Sequence, residues 1–153
     1  STLHTNDTLS ALIRLQDIGV PPYLIHSSII GIMAQRLVRT LCPHCKARTH
    51  VDEDVWIDMV KPWRSERPKK IYKPVGCLEC RNTGYLGRIG LFEMLPLSRE
   101  FKHLLSRNAD MEQLRRQAVK DGYKPLRLSG AQKVAKGVTT VEEVLRVSPA
   151  PMM

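Results

Sequence analysis

Aromatic side chains are scarce in this sequence, at 5% of its 153 residues, which argues against a surface built to stack unpaired bases. Long apolar runs are also missing, because the longest, residues 29–34, is far shorter than the roughly 18 residues that suggest a membrane-spanning helix. The sequence has no phosphate-binding loop of the GxxxxGK[ST] type and suggests no pair of a nucleophile and a general base. The 153 residues by themselves therefore offer no catalytic centre.

Positive charge is what the sequence has in excess. It contains 24 Lys and Arg residues against 15 Asp and Glu residues, for a formal net charge of +9 and an isoelectric point near 9.7. Such a balance implies attraction to nucleic acid, to anionic lipid or to acidic partner surfaces, and it does not choose among them. The hydrophobic content of 42% is enough for the packed core of one ordinary domain or of two small ones.

All four cysteines fall into two CxxC pairs, formed by Cys42 with Cys45 and by Cys77 with Cys80. Two CxxC turns can direct four thiolates at one tetrahedral metal ion, which is the ligand set of a closed structural zinc site. A disulfide pair is an alternative, but in a chain of cytosolic character paired CxxC turns more often bind metal. A thioredoxin-like redox site would need a single CxxC between a strand and a helix. We therefore predict a structural Zn²⁺ on the four cysteines, and this thiol chemistry indicates a cytoplasmic protein.

The first 20 residues predict a strand, a loop and a helix, the local order of an α/β domain. Residues 1–6 read as the end of a strand, and Asp7 is a suitable N-cap for an amphipathic helix over residues 8–18 that ends before Gly19. His4 lies at the polar end of the predicted strand, where α/β folds place ligands. Without further evidence, a single histidine in this position is more often an ordinary surface residue.

Three further segments follow before residue 85. Pro22 can open a short helix through residue 26, and the branched residues of 29–33 and 37–41 predict a buried strand that is interrupted or bulged, although a buried helix has the same pattern. Between the CxxC turns, Asp52 is a plausible cap for a helix over residues 53–60. An insertion of this size buries little surface of its own, so we expect a satellite module whose folding energy comes from metal binding.

The remainder of the chain predicts one strand and then helices. Residues 85–95 alternate small and apolar side chains and predict a strand. Ser98 and Asp110 are N-caps for the next two helices, and Thr140 with Glu143 forms a capping box for the last one. The predicted helices, which should form a small bundle before a fraying tail at 148–153, cover residues 99–106, 111–120, 125–137 and 141–147.

Several motifs occur together and in order: STLHTN at residues 1–6, AQRLVRTLCPHC at 34–45, CLEC at 77–80, GYLGR at 84–88, and Glu93. In this combination the chain resembles the carboxyl-terminal part of the type II secretion and type IV pilus assembly ATPases, the GspE/PilB family, over essentially its whole length. Its ending, KPLR at 124–127 and TTVEEV at 139–144, leans toward the type II secretion branch.

The resemblance implies an α/β fold, the carboxyl-terminal part of a RecA-like motor domain with an inserted tetracysteine zinc module and a small carboxyl-terminal helical bundle. The implied segments are 1–41 for the end of the motor core, 42–84 for the zinc module, 85–97 for a return strand and 98–153 for the helical subdomain. The phosphate-binding loop would lie upstream of Ser1, so the parent protein would bind ATP and Mg²⁺ while this fragment alone would be inactive. His4 would belong to a histidine motif that senses the γ-phosphate.

The resemblance also implies partners. The parent would form a homo-hexamer in the cytoplasm, peripheral to the inner membrane, and would dock on an inner-membrane platform protein and on cytoplasmic domains of the same machinery, with no nucleic acid expected. The basic run at residues 61–73 could contact an acidic partner or anionic lipid there. The rival hypothesis is a non-enzymatic zinc-ribbon module that binds nucleic acid, suggested by the positive charge and the four cysteines.

Overall fold

The computed structural model describes residues 1–105 and 108–148. These residues form two compact units. Unit 1 comprises Ser1–Ala34 and Phe92–Pro125, and unit 2 comprises Gln35–Leu91 and the residues from Leu126 onward. The predicted helix end at residue 106 and the predicted fraying at 149–153 lie outside the described residues.

The chain forms seven helices and four strands among its described residues. The elements are α1 (Thr8–Asp17), α2 (Pro22–Ser28), β1 (Gly31–Leu41), β2 (Ala47–Thr49), α3 (Glu53–Val60), β3 (Ile71–Lys73), β4 (Tyr85–Pro96), α4 (Arg99–Leu104), α5 (Met111–Lys120), α6 (Leu126–Ala135) and α7 (Val141–Val147). The described strands form two sheets of two strands each, β1 with β4 and β2 with β3. The second pair is antiparallel, with Arg48 opposite Tyr72.

Unit 1 is built on a helical core. The apolar faces of α1, α2, α4 and α5 meet the end of β4, and the buried residues there are Leu9, Leu12, Ile25, Leu95, Leu97, Phe101, Leu114 and Ala118. Three of its helices start at the predicted caps, because the side chains of Asp7, Ser98 and Asp110 accept hydrogen bonds from first-turn amides. Such caps satisfy N–H groups that have no partner within the helix.

Unit 2 packs the segment between the CxxC turns against the last two helices. Helix α3 buries Trp56, Met59 and Val60 and packs against α6, which also contacts β3 and α7. Helix α6 approaches α7 closely at Gly130, where a Cβ atom would lie 2.3 Å from a methyl carbon of Val144. The predicted cap of α7 is present, since Thr140 Oγ1 accepts from the amide of Glu143 at 3.2 Å.

Two strand predictions were wrong. Residues 1–5 have no regular secondary structure, because an extended segment becomes a strand only when another strand pairs with it, and the described sheets contain only β1 to β4. The predicted interrupted, buried strand at 29–41 is one continuous strand in which only Val38 and Leu41 are buried. The exposure of its side chains alternates along the strand, as expected for a strand that is covered on only one face.

The region of residues 42–84 also differs from the prediction. It is not a satellite, because α3 and β3 pack on α6. Periodicity predicted that α3 has an apolar face, but it did not predict which helix that face would contact. The short strands β2 and β3 were missed, and Asp52 precedes α3 as expected but makes no side-chain cap bond. The helices of 98–147 do not form one bundle, since α4 and α5 belong to unit 1 whereas α6 and α7 belong to unit 2.

Candidate metal centre

The first CxxC turn follows β1 directly. The amide of Cys42 donates to the carbonyl of Gly84 at 2.9 Å, and the amide of Lys46 donates back to the carbonyl of Cys42 at 3.1 Å. The Lys46 ammonium group donates to the carbonyl of Gly137 at 2.9 Å and lies 4.5 Å from the ring centre of Tyr72. These contacts attach the turn both to the second CxxC segment and to the loop after α6.

The second CxxC turn depends on left-handed backbone conformations. The amide of Asn82 donates to the carbonyl of Cys77 at 2.8 Å, and Arg81 and Asn82 have φ of 54° and 61°. Gly84 follows with φ of 79°, and a Cβ atom there would lie 2.4 Å from the Pro74 side chain. Glycine is required at this position for both reasons.

The four sulfur atoms lie within 4.8 Å of one another. The Sγ–Sγ distances are 3.8 Å from Cys42 to Cys77 and from Cys45 to Cys80, and 3.7 Å from Cys77 to Cys80. A zinc ion with Zn–S bonds of about 2.3 Å spaces tetrahedral sulfur ligands about 3.8 Å apart. The four cysteines are free, and their spacing is far longer than the roughly 2.05 Å of a disulfide bond. The donor set and its spacing therefore fit a tetrahedral metal ion.

Backbone amides point at the sulfur atoms. The amides of Gly76, Cys77 and Gly84 donate to Cys45 Sγ at 3.3 Å, to Cys80 Sγ at 3.3 Å and to Cys80 Sγ at 3.2 Å, respectively. Such bonds stabilise the thiolate form, in which cysteine binds metal.

The pKa values of the second pair follow from these contacts. Burial acts to raise the pKa of Cys80, but the amides of Cys77 and Gly84 and the neighbouring thiols outweigh it and lower that pKa to about 6. For Cys77, a hydrogen bond with the backbone of Cys80 lowers the pKa, whereas burial and hydrogen bonds with the other three thiols raise it. The pKa of Cys77 is raised to about 11 as a result. The backbone amides at Cys80 thus favour its thiolate form.

A buried carboxylate, Glu143, holds the strand that leads into the first CxxC turn through ion pairs at the surface. Glu143 in α7 is 2% exposed and accepts from the amide and the guanidinium of Arg39 at 2.7 and 2.8 Å and from Arg146 at 3.0 Å. The guanidinium of Arg39 also lies 4.1 Å from the ring centre of Tyr85, whose hydroxyl is 3.0 Å from Thr140 Oγ1. Sequence reasoning found Thr140 and Glu143 as a capping box but not this cluster.

The predicted site residues do not all lie together in the structure. It brings Cys42, Cys45, Cys77 and Cys80 together, whereas His4 is exposed in a segment without regular secondary structure. The amide donors at Gly76 and Gly84 were missed, although glycines that flank a CxxC turn are a usable signal for close backbone approach. No helix among the described residues is both long and apolar enough to cross a membrane.

Comparison with known proteins gives a consistent assignment. A model of the family described as "Type II/IV secretion system protein" matches residues 1–146. The chain is 50% identical to the type IV pilus assembly ATPase TfpB of Acinetobacter baylyi, over 97% of this chain and 26% of the relative. It is 40% identical to type II secretion system protein E of Aeromonas hydrophila and 41% identical to that of Pseudomonas aeruginosa, each over 97% of this chain and 29% of the relative.

The relatives include both pilus and secretion proteins. The ending of the sequence predicted the type II secretion branch, but these identities do not favour that branch. The chain spans between about a quarter and a third of the length of the relatives it matches. The family match over residues 1–146 includes the two CxxC turns, and the match to the relatives covers nearly the whole chain. The chain belongs to the type II/IV secretion system protein family.

Proposed function

We propose that this chain is the carboxyl-terminal part of a hexameric, cytoplasmic ATPase that powers pilus or pseudopilus assembly and protein secretion, and that its four cysteines hold a structural zinc ion. The observation that carries the proposal is the close approach of the four cysteine sulfur atoms in a chain whose relatives are named as ATPases of these systems. ATP, Mg²⁺ and a RecA-like motor core belong to the parent protein in this proposal.

The zinc ion has an architectural role in this account. Four thiolates complete its coordination shell and leave no open position for water or substrate. When bound, it would hold the end of β1, the β2–β3 pair and the start of β4 together, because the first CxxC turn lies between β1 and β2 and the second lies between β3 and β4. The chain would therefore lend rigidity to the motor and would not perform the reaction with this metal.

His4 is the one residue of the chain that we propose takes part in the reaction. As in the family's histidine motif, it would contact the γ-phosphate of ATP bound in the parent protein. Its exposure leaves the imidazole accessible to a ligand. The phosphate-binding loop is proposed to lie in the part of the parent that precedes these residues.

Partner contact is proposed for the basic segment between the CxxC turns. Lys69, Lys70 and Lys73 are exposed, and none of the ion pairs among the described residues includes them. An acidic face of an inner-membrane platform protein would neutralise them without displacing a carboxylate partner.

Charge reversal tests this contact. Changing these three lysines to Glu in the parent should abolish stimulation of its ATPase activity by the platform protein. The matched control reverses three exposed cations of unit 1 and should retain stimulation: Arg14, Arg99 and Lys120. Unchanged stimulation after reversal of the lysines would refute the contact.

The motor proposal is tested by comparing the parent with this chain. The parent should hydrolyse ATP, the 153-residue chain should not, and the chain should show little salt-dependent affinity for DNA or RNA. The rival nucleic-acid-binding function requires affinity that falls steeply with salt, and the secretion and pilus relatives give it no support. Absence of ATP hydrolysis by the parent would contradict the proposal.

A further inference from the structure

Glu93 occupies a position where a carboxylate is unexpected. It lies in β4 between Leu91 and Leu95, on the inward face of the strand, and it is 2% exposed while both leucines are fully buried. Burial of a carboxylate costs free energy unless hydrogen bonds compensate for the lost water. The partners of Glu93 therefore indicate what its charge is used for.

Those partners lie at the start of α1. Glu93 Oε1 accepts from the Thr8 amide and from Thr8 Oγ1, both at 2.7 Å. The amide is one of the four at the start of the helix that have no partner within it, and a negative charge is favourable at a helix N-terminus. The carboxylate thus holds the first residue of α1 on β4 with two charge-assisted bonds.

Tyr123 closes the same network. Burial and then the negative charges of Glu93 and Asp7 raise the pKa of the Tyr123 hydroxyl well above its usual value, and this hydroxyl is hydrogen-bonded to Glu93. Lys124, the next residue, pairs with Met94 in an isolated β-bridge. The segment after α5, the inner face of β4 and the start of α1 therefore meet at one buried carboxylate.

The network lies next to the segment that carries His4. Thr5 Oγ1 donates to the Asp7 carbonyl at 3.1 Å, and Asp7 Oδ1 accepts from the Ser10 amide at 2.7 Å. Only three residues separate His4 from Thr8, so even a fully extended chain places their Cα atoms within about 14 Å of each other. The position of Thr8 therefore limits where the imidazole can be.

We infer that Glu93 is a positioning residue for His4: by holding Thr8 on β4, it sets the reach and direction of the segment that presents the imidazole. This inference rests on the proposed role of His4 at the γ-phosphate. We assign Glu93 no contact with a reacting atom, because its carboxylate is buried and hydrogen-bonded to Thr8 and Tyr123. The pattern Leu91-x-Glu93-x-Leu95 gave the sequence signal, a charge at an inward position of an alternating strand.

The test is a double-mutant cycle in the full-length parent protein. Glu93→Gln keeps the shape but removes the charge, and it should lower kcat for ATP hydrolysis about tenfold with KM for ATP changed less than about twofold. His4→Ala should lower kcat at least as much. The double variant should match His4→Ala alone, because Glu93 acts through a group that is then absent. Glu100→Gln makes the same change at an exposed residue of α4. It is the matched control and should leave kcat unchanged.

Tyr123→Phe provides a gentler variant in case the charge change destabilises unit 1. It removes one hydrogen bond to Glu93, and it should lower kcat by a smaller factor that again disappears when His4 is replaced. Hydrogen exchange of the amides of residues 1–8 should be faster in both variants than in the Glu100→Gln control.

The outcomes separate the two claims. If the variants at 93 and 123 lower kcat by the same factor with and without His4, the positioning role is wrong while the role of His4 stands. If His4→Ala leaves kcat unchanged, the proposed role of His4 is wrong and the inference is overturned with it.

Discussion

At the residue scale, the buried carboxylates organise both units. Glu93 anchors the start of α1 in unit 1. In unit 2, Glu143 links α7 to β1 through Arg39 and also pairs with Arg146 of its own helix. Burial opposes ionisation of Glu143, but hydrogen bonds from Arg146 and Arg39 outweigh it and lower its pKa to about 2. The charged form of this side chain is therefore the one that the fold stabilises.

This pKa makes the stability of the chain depend on pH. Because the folded pKa lies below the ordinary value of 4.5, the stabilisation is complete above about pH 5 and is lost as the pH falls toward 2. Glu143→Gln should lower the free energy of unfolding at pH 7 by about 2 kcal/mol. Denaturant unfolding between pH 7 and pH 3 measures both effects.

The matched control for this prediction is Glu142→Gln, which changes an exposed neighbour. It should retain the acid-dependent loss that the Glu143 variant lacks, and because both variants keep the four cysteines, any loss of metal at low pH cancels in the comparison. Parallel pH profiles for the two variants would refute a stabilising charge at Glu143.

A second residue-scale prediction concerns the glycine after the second CxxC turn. Gly84→Ala should destabilise unit 2 by about 2 kcal/mol or more, because the new side chain would combine a left-handed φ with a clash against Pro74. It should also speed metal transfer to a chelator, since the Gly84 amide donates to Cys80 Sγ. Gly19→Ala is the control, with φ of 97° but open space around the Cβ position, and it should leave metal transfer unchanged. Equal transfer rates in the two variants would contradict this role.

At the scale of elements, local signals predicted the helices well. Asp7, Ser98, Asp110 and Thr140 each cap the helix that the sequence assigned to them, because a cap and the amide it serves lie within a few residues. Strands were predicted less well. The three-residue strands β2 and β3 exist only through their pairing with each other. They were missed because a local sequence pattern does not predict a pairing partner 20 or more residues away.

The contact between α6 and α7 gives a prediction at this scale. Gly130→Ala places a methyl group against Val144 and should cost about 1–3 kcal/mol through overpacking. Adding Val144→Ala makes room for that methyl group, so the double variant should be less destabilised than the sum of the two single changes. Thermal unfolding of the four proteins measures the coupling, and strict additivity would show that the helices do not meet closely at this point.

At the scale of the whole molecule, the sequence predicted which four cysteines lie together but not the division of the chain. The two CxxC turns single out these cysteines without knowledge of the fold, because the spacing within each turn is local. That α4 and α5 join unit 1 while α6 and α7 join unit 2 depends on which apolar faces meet, and amphipathic periodicity does not specify the partner of a face. The same limit explains why the segment that contains α3 was expected to be a satellite module.

The central claim is that the four cysteines hold one structural zinc ion, and metal analysis of the purified chain tests it most directly. The chain, isolated without a metal-affinity step, should contain one zinc per molecule, and Cys42→Ser or Cys80→Ser should each abolish zinc binding, because either change breaks a four-thiolate site. A folded chain that contains no metal, or serine variants that retain a full equivalent of zinc, would contradict the claim.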